Sequence, residues 1–396
     1  MEVNTGKEHS LVKLDYSELF KEEDLKEVTD LIKSGYICGW WSHPDGGEHL
    51  RRFEARMRNY TETKYVKAVS SGTASILLAL RAMGVHRNDI VITAGYNHIG
   101  GLAPITQIGA IPFFTDVDGY GNISYESFIS AVESLKHRHI FSNTRPGAAA
   151  VVITHSLGQP CMDTKKIVKY AHDHNIAVIE DCSQALGARI GFKPVGCFGD
   201  VACFSVGGDM TKMITTGEGG IIATDIGYVA DAIDNLRNHG DKAGAQYPCF
   251  NFRMSDLQAL IGCITMKTLD MQLVRTKVNA DYLIENLKKT WVTIEPPKNT
   301  TPSKYILKFH AEGLLADPRN AAEKVAEKFG VSQPRMAVSQ GYKTALTDLE
   351  ICQTFPRTNT PIIKRLIETS LWIDWHRWPH TRETIDPLIT VLEDVF

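Results

Sequence analysis

Short apolar runs alternate with amphipathic segments through much of this chain. Seven runs have the length and composition of buried strands, and they cover residues 65–69, 90–92, 112–114, 149–153, 176–179, 201–204 and 220–223. Between them, residues 74–83, 164–174 and 228–238 carry apolar positions at helical spacing. This alternation predicts an α/β fold whose mostly parallel sheet is covered by helices on both faces.

Two further segments set the expected limits of the domains. Residues 22–34 place leucine, valine and isoleucine at helical intervals and end at Gly35, so a helix precedes the sheet. A long helical stretch later leads to the Pro-rich segment 295–302, which breaks the pattern as a boundary loop does. We predict a large domain over residues 1–270, including the N-terminal helical segment, and a smaller α+β domain over residues 271–396.

The composition limits the class of partner. The chain has 396 residues, with 43 Lys and Arg against 46 Asp and Glu, a formal charge of -3 and no long run of either sign. Nucleic acid and anionic membranes are therefore not expected partners, and a small molecule is the default ligand. The eight cysteines include no C-x-x-C pair, and the N-terminal segment lacks the apolar core of a signal peptide. No apolar stretch has membrane-spanning length, so we expect a cytoplasmic protein, and no metal site is predicted.

Polar residues follow three of the predicted strands. Asp181, Ser205 and the pair Gly72-Thr73 each stand at a strand end, where parallel sheets gather their sites. Gly72 and Thr73 open a helix whose free N–H groups can bind an anion, although a simple helix cap explains them too. Ser205 is equally ambiguous, because a hydroxyl at a strand end can also cap a turn.

Lys212 lies beside a glycine-rich turn at residues 216–220. A lone lysine is most often a surface residue. Together with the carboxylate of Asp181, however, it meets the two needs of pyridoxal phosphate (PLP) chemistry. One need is an amine that holds the cofactor aldehyde as a Schiff base, and the other is an anion that faces the pyridine nitrogen and keeps the ring a strong electron sink.

Seven motifs then carry a resemblance to one protein family. In chain order they are Ser71-Gly-Thr-Ala74 with residues 77–84, Gly109-Ala110, Asp116-Val-Asp118, Glu180-Asp181 with Gln184, Phe204-Ser205, Lys212 with Thr216-Gly-Glu-Gly-Gly220, and residues 251–259. From about Gly35 to Arg275 the chain resembles the DegT/StrS group of sugar and cyclitol aminotransferases. The resemblance implies PLP fold type I, with an aspartate-aminotransferase-like large domain that binds PLP and uses pyridoxamine phosphate as an intermediate form.

The resemblance also implies a cofactor site. Its residues would be Gly72, Thr73, His98, Asp181, Gln184, Ser205, Lys212 and Asn251, with Lys212 and Asp181 as the catalytic residues. Lys212 would form the Schiff base, Asp181 would face the pyridine nitrogen, and Gln184 would lie near the phenolic oxygen of the ring. The amides of Gly72 and Thr73 and the hydroxyl of Ser205 would hold the phosphate. Asn251 would reach the phosphate of the neighbouring subunit in a homodimer with shared active sites.

The chain departs from the family pattern at two places. His98 stands where the family stacks an aromatic ring on the cofactor; its imidazole is also flat, but a solvent-facing residue at a helix start is the alternative. The loop from Ser205 to Thr211 is two residues longer than usual, and the paired glycines Gly207 and Gly208 can absorb the excess.

Packing or capping explains the other candidates without a role in the site. A packed histidine explains His155, and helix capping explains Arg237. For Trp40 and Trp41, a place in a sugar pocket and ordinary core or interface packing both stay open.

The resemblance implies amino transfer in two stages, for amino-sugar or antibiotic biosynthesis. The expected donor is glutamate or glutamine, and the expected acceptor is a keto-sugar, often nucleotide-linked, or a keto-cyclitol. Two alternatives stay open. One is a sugar dehydratase dependent on pyridoxamine phosphate, a branch that usually replaces the lysine with histidine. The other is a non-catalytic regulatory protein that keeps the fold.

Overall fold

The computed structural model describes most of the chain. The described residues are 20–41, 43, 45–136, 147–208, 212–241, 249–287, 292–293, 296–304, 306–309, 338–339, 345–369, 372–374, 386, 389–390 and 393. No helix within these ranges is both long and apolar enough to cross a membrane.

A seven-stranded sheet forms the centre of the fold. Its strands are β1 (Tyr65–Val69), β2 (Ile90–Ala94), β3 (Ile111–Thr115), β4 (Ala150–Thr154), β5 (Ala177–Asp181), β8 (Val201–Ser205) and β9 (Gly220–Thr224), while β6 (Arg189–Ile190) and β7 (Lys193–Pro194) form a hairpin between β5 and β8. The order across the sheet is β1-β9-β8-β5-β4-β2-β3. β9 is antiparallel to both neighbours, and the other pairs are parallel. All seven predicted strands and the mostly parallel sheet are confirmed.

Helices connect the strands and cover the sheet. In the described ranges they are α1 (Glu22–Ser34), α2 (Glu48–Thr61), α3 (Gly72–Ala82), α4 (Ile99–Gln107), α5 (Tyr125–Lys136), α6 (Thr164–Asp173), α7 (Gly227–Arg237), α8 (Asp256–Thr265), α9 (Leu269–Asn286) and α10 (Pro361–Thr369). As predicted, α1 ends at Gly35, whose φ of 76° lies in the left-handed region that favours glycine.

One predicted helix is divided in two. The sequence predicts a single long helix after Ser255, but a 3-10 turn at Met266–Thr268 separates α8 from α9. The hydroxyl of Thr265 donates to the carbonyl of Gly262, and the hydroxyl of Thr268 donates to the carbonyl of Thr265. Such local bonds compete with the regular helical ladder, and apolar periodicity does not reveal them.

The central strands contribute to a core on each face of the sheet. Val152 and Ile179 pack in one cluster with residues of α3 and α7. Val151 and Val178 pack in another cluster with residues of α5 and α6. Because neighbouring residues of a strand point to opposite faces, each strand is apolar on both sides. Burial of one such side chain is worth about 2 kcal/mol, so these cores hold the strand ends in fixed positions.

A second sheet lies in the C-terminal region. Its strands are β10 (Val292–Thr293), β12 (Ile306–Phe309), β13 (Val338–Ser339) and β14 (Trp372–Asp374), in the order β10-β12-β14-β13. A further short strand, β11 (Thr300–Thr301), pairs with β6. The segment predicted as a boundary loop therefore contains a strand, which was hidden because two polar threonines give no apolar run.

Residues 345–369 pack back on the edge strand β3. The amide of Phe114 donates to the carbonyl of Pro356 at 3.0 Å, and the amide of Thr358 donates to the carbonyl of Phe114 at 2.9 Å. The carboxylate of Asp116 accepts hydrogen bonds from the amides of Ile362 and Ile363 at the start of α10, where a negative charge is favourable. The division of the chain at residue 270 stays a prediction.

Candidate active site

The ends of the central strands bring the predicted site residues to one edge of the sheet. Asp181 pairs with Thr154 and Cys203, and Ser205 pairs with Gly220. Each is therefore the last residue of its strand, and β5 and β8 end two positions and one position later than the sequence predicts, because the ladder extends past the apolar run. β5 lies between β4 and β8, so Asp181 occupies the middle of this edge.

An anion cradle lies at the start of α3. Ser71 caps the helix by accepting a hydrogen bond from the amide of Ala74 at 3.0 Å. Among the described residues, none accepts a hydrogen bond from the amides of Gly72 or Thr73, and none bonds the hydroxyl of Ser205. The amides of Gly72 and Thr73 lie at the positive end of the α3 dipole, which is a ready-made site for a phosphate.

Only glycine fits between this helix start and Ser205. A Cβ on Gly72 would lie 2.6 Å from the Cβ of Ser205 and 3.0 Å from its Oγ. The contact brings the hydroxyl of β8 beside the amides of α3, although the two lie far apart in the sequence. The three groups that the sequence assigns to the phosphate are therefore adjacent.

Asp181 is held at both carboxylate oxygens. Its side chain is buried, Oδ1 accepts a hydrogen bond from the amide of Ser183 at 3.0 Å, and Oδ2 accepts one from the hydroxyl of Thr154 at 3.4 Å. A carboxylate oxygen has two acceptor positions. Each oxygen of Asp181 thus keeps capacity for a further donor, such as a protonated ring nitrogen.

The neighbouring carboxylate, Glu180, has a structural environment. It is fully buried and accepts hydrogen bonds from His155 Nε2 and from the amides of Gly196, Phe198 and Gly199 at 2.7 to 3.1 Å. Burial alone raises the pKa of Glu180, but the hydrogen bonds from His155 and the loop amides hold that pKa below its ordinary value. Glu180 therefore anchors the loop that leads into β8.

His155 belongs to the same structural network. Its Nδ1 accepts a hydrogen bond from the amide of Cys161 at 3.0 Å, so Nε2 carries the proton that faces Glu180. His155, Glu180 and Cys182 are close enough to share a cation. Both ring nitrogens and both carboxylate oxygens already make hydrogen bonds, however, and burial raises the pKa of the Cys182 thiol well above its ordinary value. We assign this group no metal.

His98 lies beside both Asp181 and Lys212. It caps α4 by accepting a hydrogen bond from the amide of Gly100 at 3.0 Å, and part of the residue stays exposed in the single chain. Loss of water around the ring lowers the pKa of His98, the positive charge of Lys212 lowers it further, and Asp181 acts in the opposite direction. Such charge effects weaken with distance, so Lys212 and Asp181 both belong to the surroundings of His98.

His98 also adjoins the anion cradle. A Cβ on Gly100 would lie 2.9 Å from His98 Nδ1 and 3.4 Å from the hydroxyl of Thr73. A cofactor with its phosphate on Thr73 would therefore have its ring near the imidazole.

The loop that carries Lys212 is held by hydrogen bonds at its base. The amide of Val206 donates to the carbonyl of Gly219, and the amide of Gly208 donates to the carbonyl of Gly217. Gly208 has a φ of 90°, so this residue takes the backbone conformation expected of a glycine that absorbs extra loop length. Lys212 itself is half-buried. Residues 209–211, where the rest of the extra length falls, lie outside the described ranges.

The last two predicted site residues are Gln184 and Asn251. Gln184 is half-buried in the turn after β5, where its carbonyl accepts a hydrogen bond from the hydroxyl of Ser303 at 3.0 Å. Asn251 is exposed, and its Oδ1 accepts a hydrogen bond from Arg253 Nε at 3.0 Å. Its segment adjoins the end of β1, because the amide of Ser70 donates to the carbonyl of Phe252 at 2.8 Å.

The paired tryptophans have different environments. Trp40 is buried, its indole N–H donates to the carbonyl of Met254 at 2.7 Å, and the Arg237 guanidinium lies 5.0 Å from its ring centre. Arg237 is buried as well and pairs with Glu54. Trp40 is therefore a core residue, whereas Trp41 is 90% exposed.

Sequence reasoning missed two residues next to Asp181. Thr154 donates to the Asp181 carboxylate, and Asn97 donates to Thr154 at 2.9 Å. Both are buried. Their signal in the sequence is only positional, since each stands at or just beyond a strand end, next to a residue already singled out.

Comparison with known proteins identifies the family. The model of the DegT/DnrJ/EryC1/StrS aminotransferase family matches residues 18–364. The chain belongs to this family. It is therefore a PLP-dependent aminotransferase, and the resemblance inferred from the seven motifs is confirmed.

Several proteins are similar to this aminotransferase. GDP-perosamine synthase of Vibrio cholerae is 32% identical over 303 residues, which cover 73% of this chain and 77% of that protein. The dTDP-3-amino-3,6-dideoxy-alpha-D-galactopyranose transaminase of Aneurinibacillus thermoaerophilus is 31% identical over 272 residues, which cover 67% of this chain and 70% of that protein. NtdA of Bacillus subtilis, solved with bound PMP, has the same fold, with a TM-score of 0.79 and 21% identity over 99% of this chain and 86% of that one.

The residues of this aminotransferase fit PLP. The cradle between Gly72 and Ser205 offers amide and hydroxyl donors to a phosphate. A side chain at residue 72 would block the close contact between these two residues. Asp181 presents a buried carboxylate, and Lys212 presents an amine close enough to affect His98. The donor set thus matches a phosphate, a ring nitrogen and an aldehyde.

Proposed function

We propose that this aminotransferase moves an amino group from glutamate or glutamine to the ketone of a nucleotide-linked sugar. The observation that carries the proposal is the meeting of Lys212, Asp181 and His98 beside an anion cradle. The two sequence relatives support the choice of acceptor, because both are named for nucleotide-linked sugars. A keto-cyclitol is the alternative acceptor.

Lys212 has two proposed tasks. With PLP bound, its Nζ would hold the cofactor covalently, and as a free neutral amine it would take the proton from the donor's α-carbon. PLP, when bound, supplies the electron sink and carries the amino group between the two stages. The pKa of His98 lies below its ordinary value, mainly because its ring has lost water, so the imidazole is neutral near neutral pH.

The other site residues bind and orient. The amides of Gly72 and Thr73 and the hydroxyl of Ser205 bind the phosphate. Asp181 presents its charge to the pyridine nitrogen in an orientation fixed by Ser183 and Thr154. With PLP bound, His98 would contact the ring, and Gln184 would interact with its phenolic oxygen.

We also propose a homodimer in which Asn251 completes the site of the partner subunit. Its exposed position on a segment beside the end of β1 supports this role. The proposed PLP-binding domain covers residues 1–270, and residues 271–396 complete the substrate pocket. The eight cysteines are free thiols, which supports a cytoplasmic location. The proposed role is amino-sugar biosynthesis, and an antibiotic as the end product stays a prediction.

The proposed function is tested by loading the protein with pyridoxamine phosphate and adding keto-sugars, free or nucleotide-linked, and keto-cyclitols. Return of the aldehyde absorbance with a nucleotide-linked keto-sugar, together with an aminated product, is the expected result. A deoxygenated sugar without a new amine indicates the dehydratase. Failure to bind either cofactor form contradicts the proposal and favours a non-catalytic protein.

A further inference from the structure

A buried asparagine connects two residues of the proposed cofactor site. Asn97 follows β2, and its side-chain Oδ1 accepts a hydrogen bond from the amide of His98 at 2.7 Å. Its Nδ2 donates to the hydroxyl of Thr154 at 2.9 Å. A backbone N–H can only donate, so the oxygen of Asn97 must face His98 and its NH2 group must face Thr154.

This arrangement fixes the direction of the next hydrogen bond. The hydroxyl of Thr154 has one proton to donate, and its oxygen already accepts a hydrogen bond from Asn97. That proton is therefore directed to Asp181 Oδ2, which lies 3.4 Å away. With the amide of Ser183 on Oδ1, donors on both oxygens set the plane of the carboxylate.

The space around Asn97 is matched to its amide. A Cβ on Gly101 would lie 2.6 Å from Asn97 Nδ2 and 3.5 Å from Asp181 Oδ2. The first turn of α4 therefore approaches both groups closely only because residue 101 is glycine. Asn97, Thr154 and Asp181 form one packed row behind His98.

We propose that Asn97 is a positioning residue that couples His98 to Asp181 through Thr154. It holds the backbone of His98, whose ring lies on one face of the proposed cofactor position, and it aims the hydroxyl that orients the carboxylate for the ring nitrogen. Both contacts are thereby set before the cofactor binds. The inference rests on the proposed roles of His98 and Asp181.

The first test is a double-mutant cycle with Asn97→Ala and Thr154→Val. The measurements are the dissociation constant of PLP from its absorbance and the kcat and KM of the donor half-reaction. Each single variant is expected to lower kcat or weaken PLP binding about three- to tenfold, the scale of one hydrogen bond, with little change in donor KM. Because the two residues act in one chain, the double variant should be no worse than the poorer single variant. Full multiplication of the two effects, or unchanged constants in both single variants, overturns the coupling.

Asn122 provides a matched control. It is also a buried asparagine, its Oδ1 accepts from the amide of Ser156 at 2.8 Å, and its Nδ2 donates to the carbonyls of Gln159 and Pro160. Asn122→Ala should lower the melting temperature of the cofactor-free protein as Asn97→Ala does, while its PLP dissociation constant stays within about twofold. Equal loss of PLP affinity in both variants means that Asn97 acts only on stability.

A crystal structure of the cofactor-free Asn97→Ala protein separates this inference from the proposed function. We expect the Thr154 hydroxyl to find another partner and the Asp181 carboxylate to rotate, while β5 keeps its place. If Asn97→Ala does not fold, Thr154→Val, which nearly conserves volume, still reports the rotation of the Asp181 carboxylate. Loss of PLP binding by the wild-type protein would remove the proposed function without touching this result. If His98 and Asp181 keep their wild-type positions in both variants, the positioning role is wrong.

Discussion

Two regions of the proposed site differ in how they are held. The strand-end region, with Asp181, Ser205 and Gly72, is fixed by the ladder and by buried hydrogen bonds. The loop region, with Lys212 and Asn251, is half-buried or exposed, and backbone hydrogen bonds hold the base of the Lys212 loop. The difference matches the proposed tasks, because an orienting charge must stay still whereas the lysine must move and Asn251 must reach another chain. The single chain thus completes one region, and we infer that the cofactor and the partner subunit complete the other.

The loop region is tested most strongly by subunit exchange. The activity of the Lys212→Ala homodimer is expected to fall about a thousandfold or more. The Asn251→Ala homodimer is expected to lose a measurable part of its activity. After mixing and exchange, each heterodimer should have one site with both defects and one intact site. Random exchange of an equal mixture then restores about a quarter of the wild-type sites. The activity of the mixture, with exchange followed by mass spectrometry, checks this. Full activity of Asn251→Ala alone, or no gain after exchange, contradicts the shared site.

The strand-end region is tested by removing the charge of Asp181. Asp181→Asn should keep PLP bound through the phosphate cradle but lower the rate of the donor half-reaction about a thousandfold, because an amide does not stabilise a protonated ring nitrogen. Stopped-flow absorbance of the reaction with glutamate measures that rate, and equilibrium absorbance measures the bound cofactor. A near-normal rate would show that Asp181 does not face the ring nitrogen.

Glu180 sharpens the comparison, because it is the residue adjacent to Asp181 but has a structural role. In Glu180→Gln an NH2 group replaces one of the two carboxylate oxygens, each of which accepts two hydrogen bonds. Two donors then face a group that cannot accept, so the free energy of unfolding should fall by about 3 kcal/mol. PLP binding by the folded fraction should change little. Urea unfolding of the cofactor-free protein measures the first effect, and absorbance titration measures the second. A stable variant with weak PLP binding would reverse the assignment.

The comparison of the wild type with Glu180→Gln also gives a pH prediction. The folded-state pKa of Glu180 is below its ordinary value of 4.5. The stability that it contributes is therefore fully present above 4.5 and is lost as the pH falls from that value through the lowered pKa. Unfolding free energies of wild type and Glu180→Gln should converge over this acid range. Parallel curves would show that the carboxylate is not held in its ionised form.

The smallest expected effect lies between the two regions, at His98. Its pKa in the folded, cofactor-free protein should be below 6.5, and Lys212→Ala should raise it, because a neighbouring positive charge is removed. The pKa should not return fully to 6.5, since loss of water around the ring remains the larger cause. NMR titration of the imidazole measures both values, with Lys193→Ala on the distant hairpin as the control. An unchanged pKa in Lys212→Ala would mean that the lysine lies elsewhere.

The sequence predicts the strand-end region well because its signals are local. Apolar runs locate the strands, and the predicted ends of the strands that carry Asp181 and Ser205 agree with the structure to within two positions. Asn97 and Thr154 were missed, because an amide and a hydroxyl in or beside a buried strand have no periodic pattern, and only folding brings them to Asp181. The different burial of Trp40 and Trp41 was equally hidden, since it depends on the carbonyl of Met254 and on Arg237.

The central claim is that Lys212 is the residue that holds PLP. Borohydride reduction of the PLP-loaded wild-type protein, followed by proteolysis and mass spectrometry, tests it most directly. The account predicts one phosphopyridoxyl group, attached to Lys212, and no stable label in Lys212→Ala at the same cofactor concentration. A label on another lysine, such as the exposed Lys193 of the β6-β7 hairpin, would contradict the claim and displace the whole site.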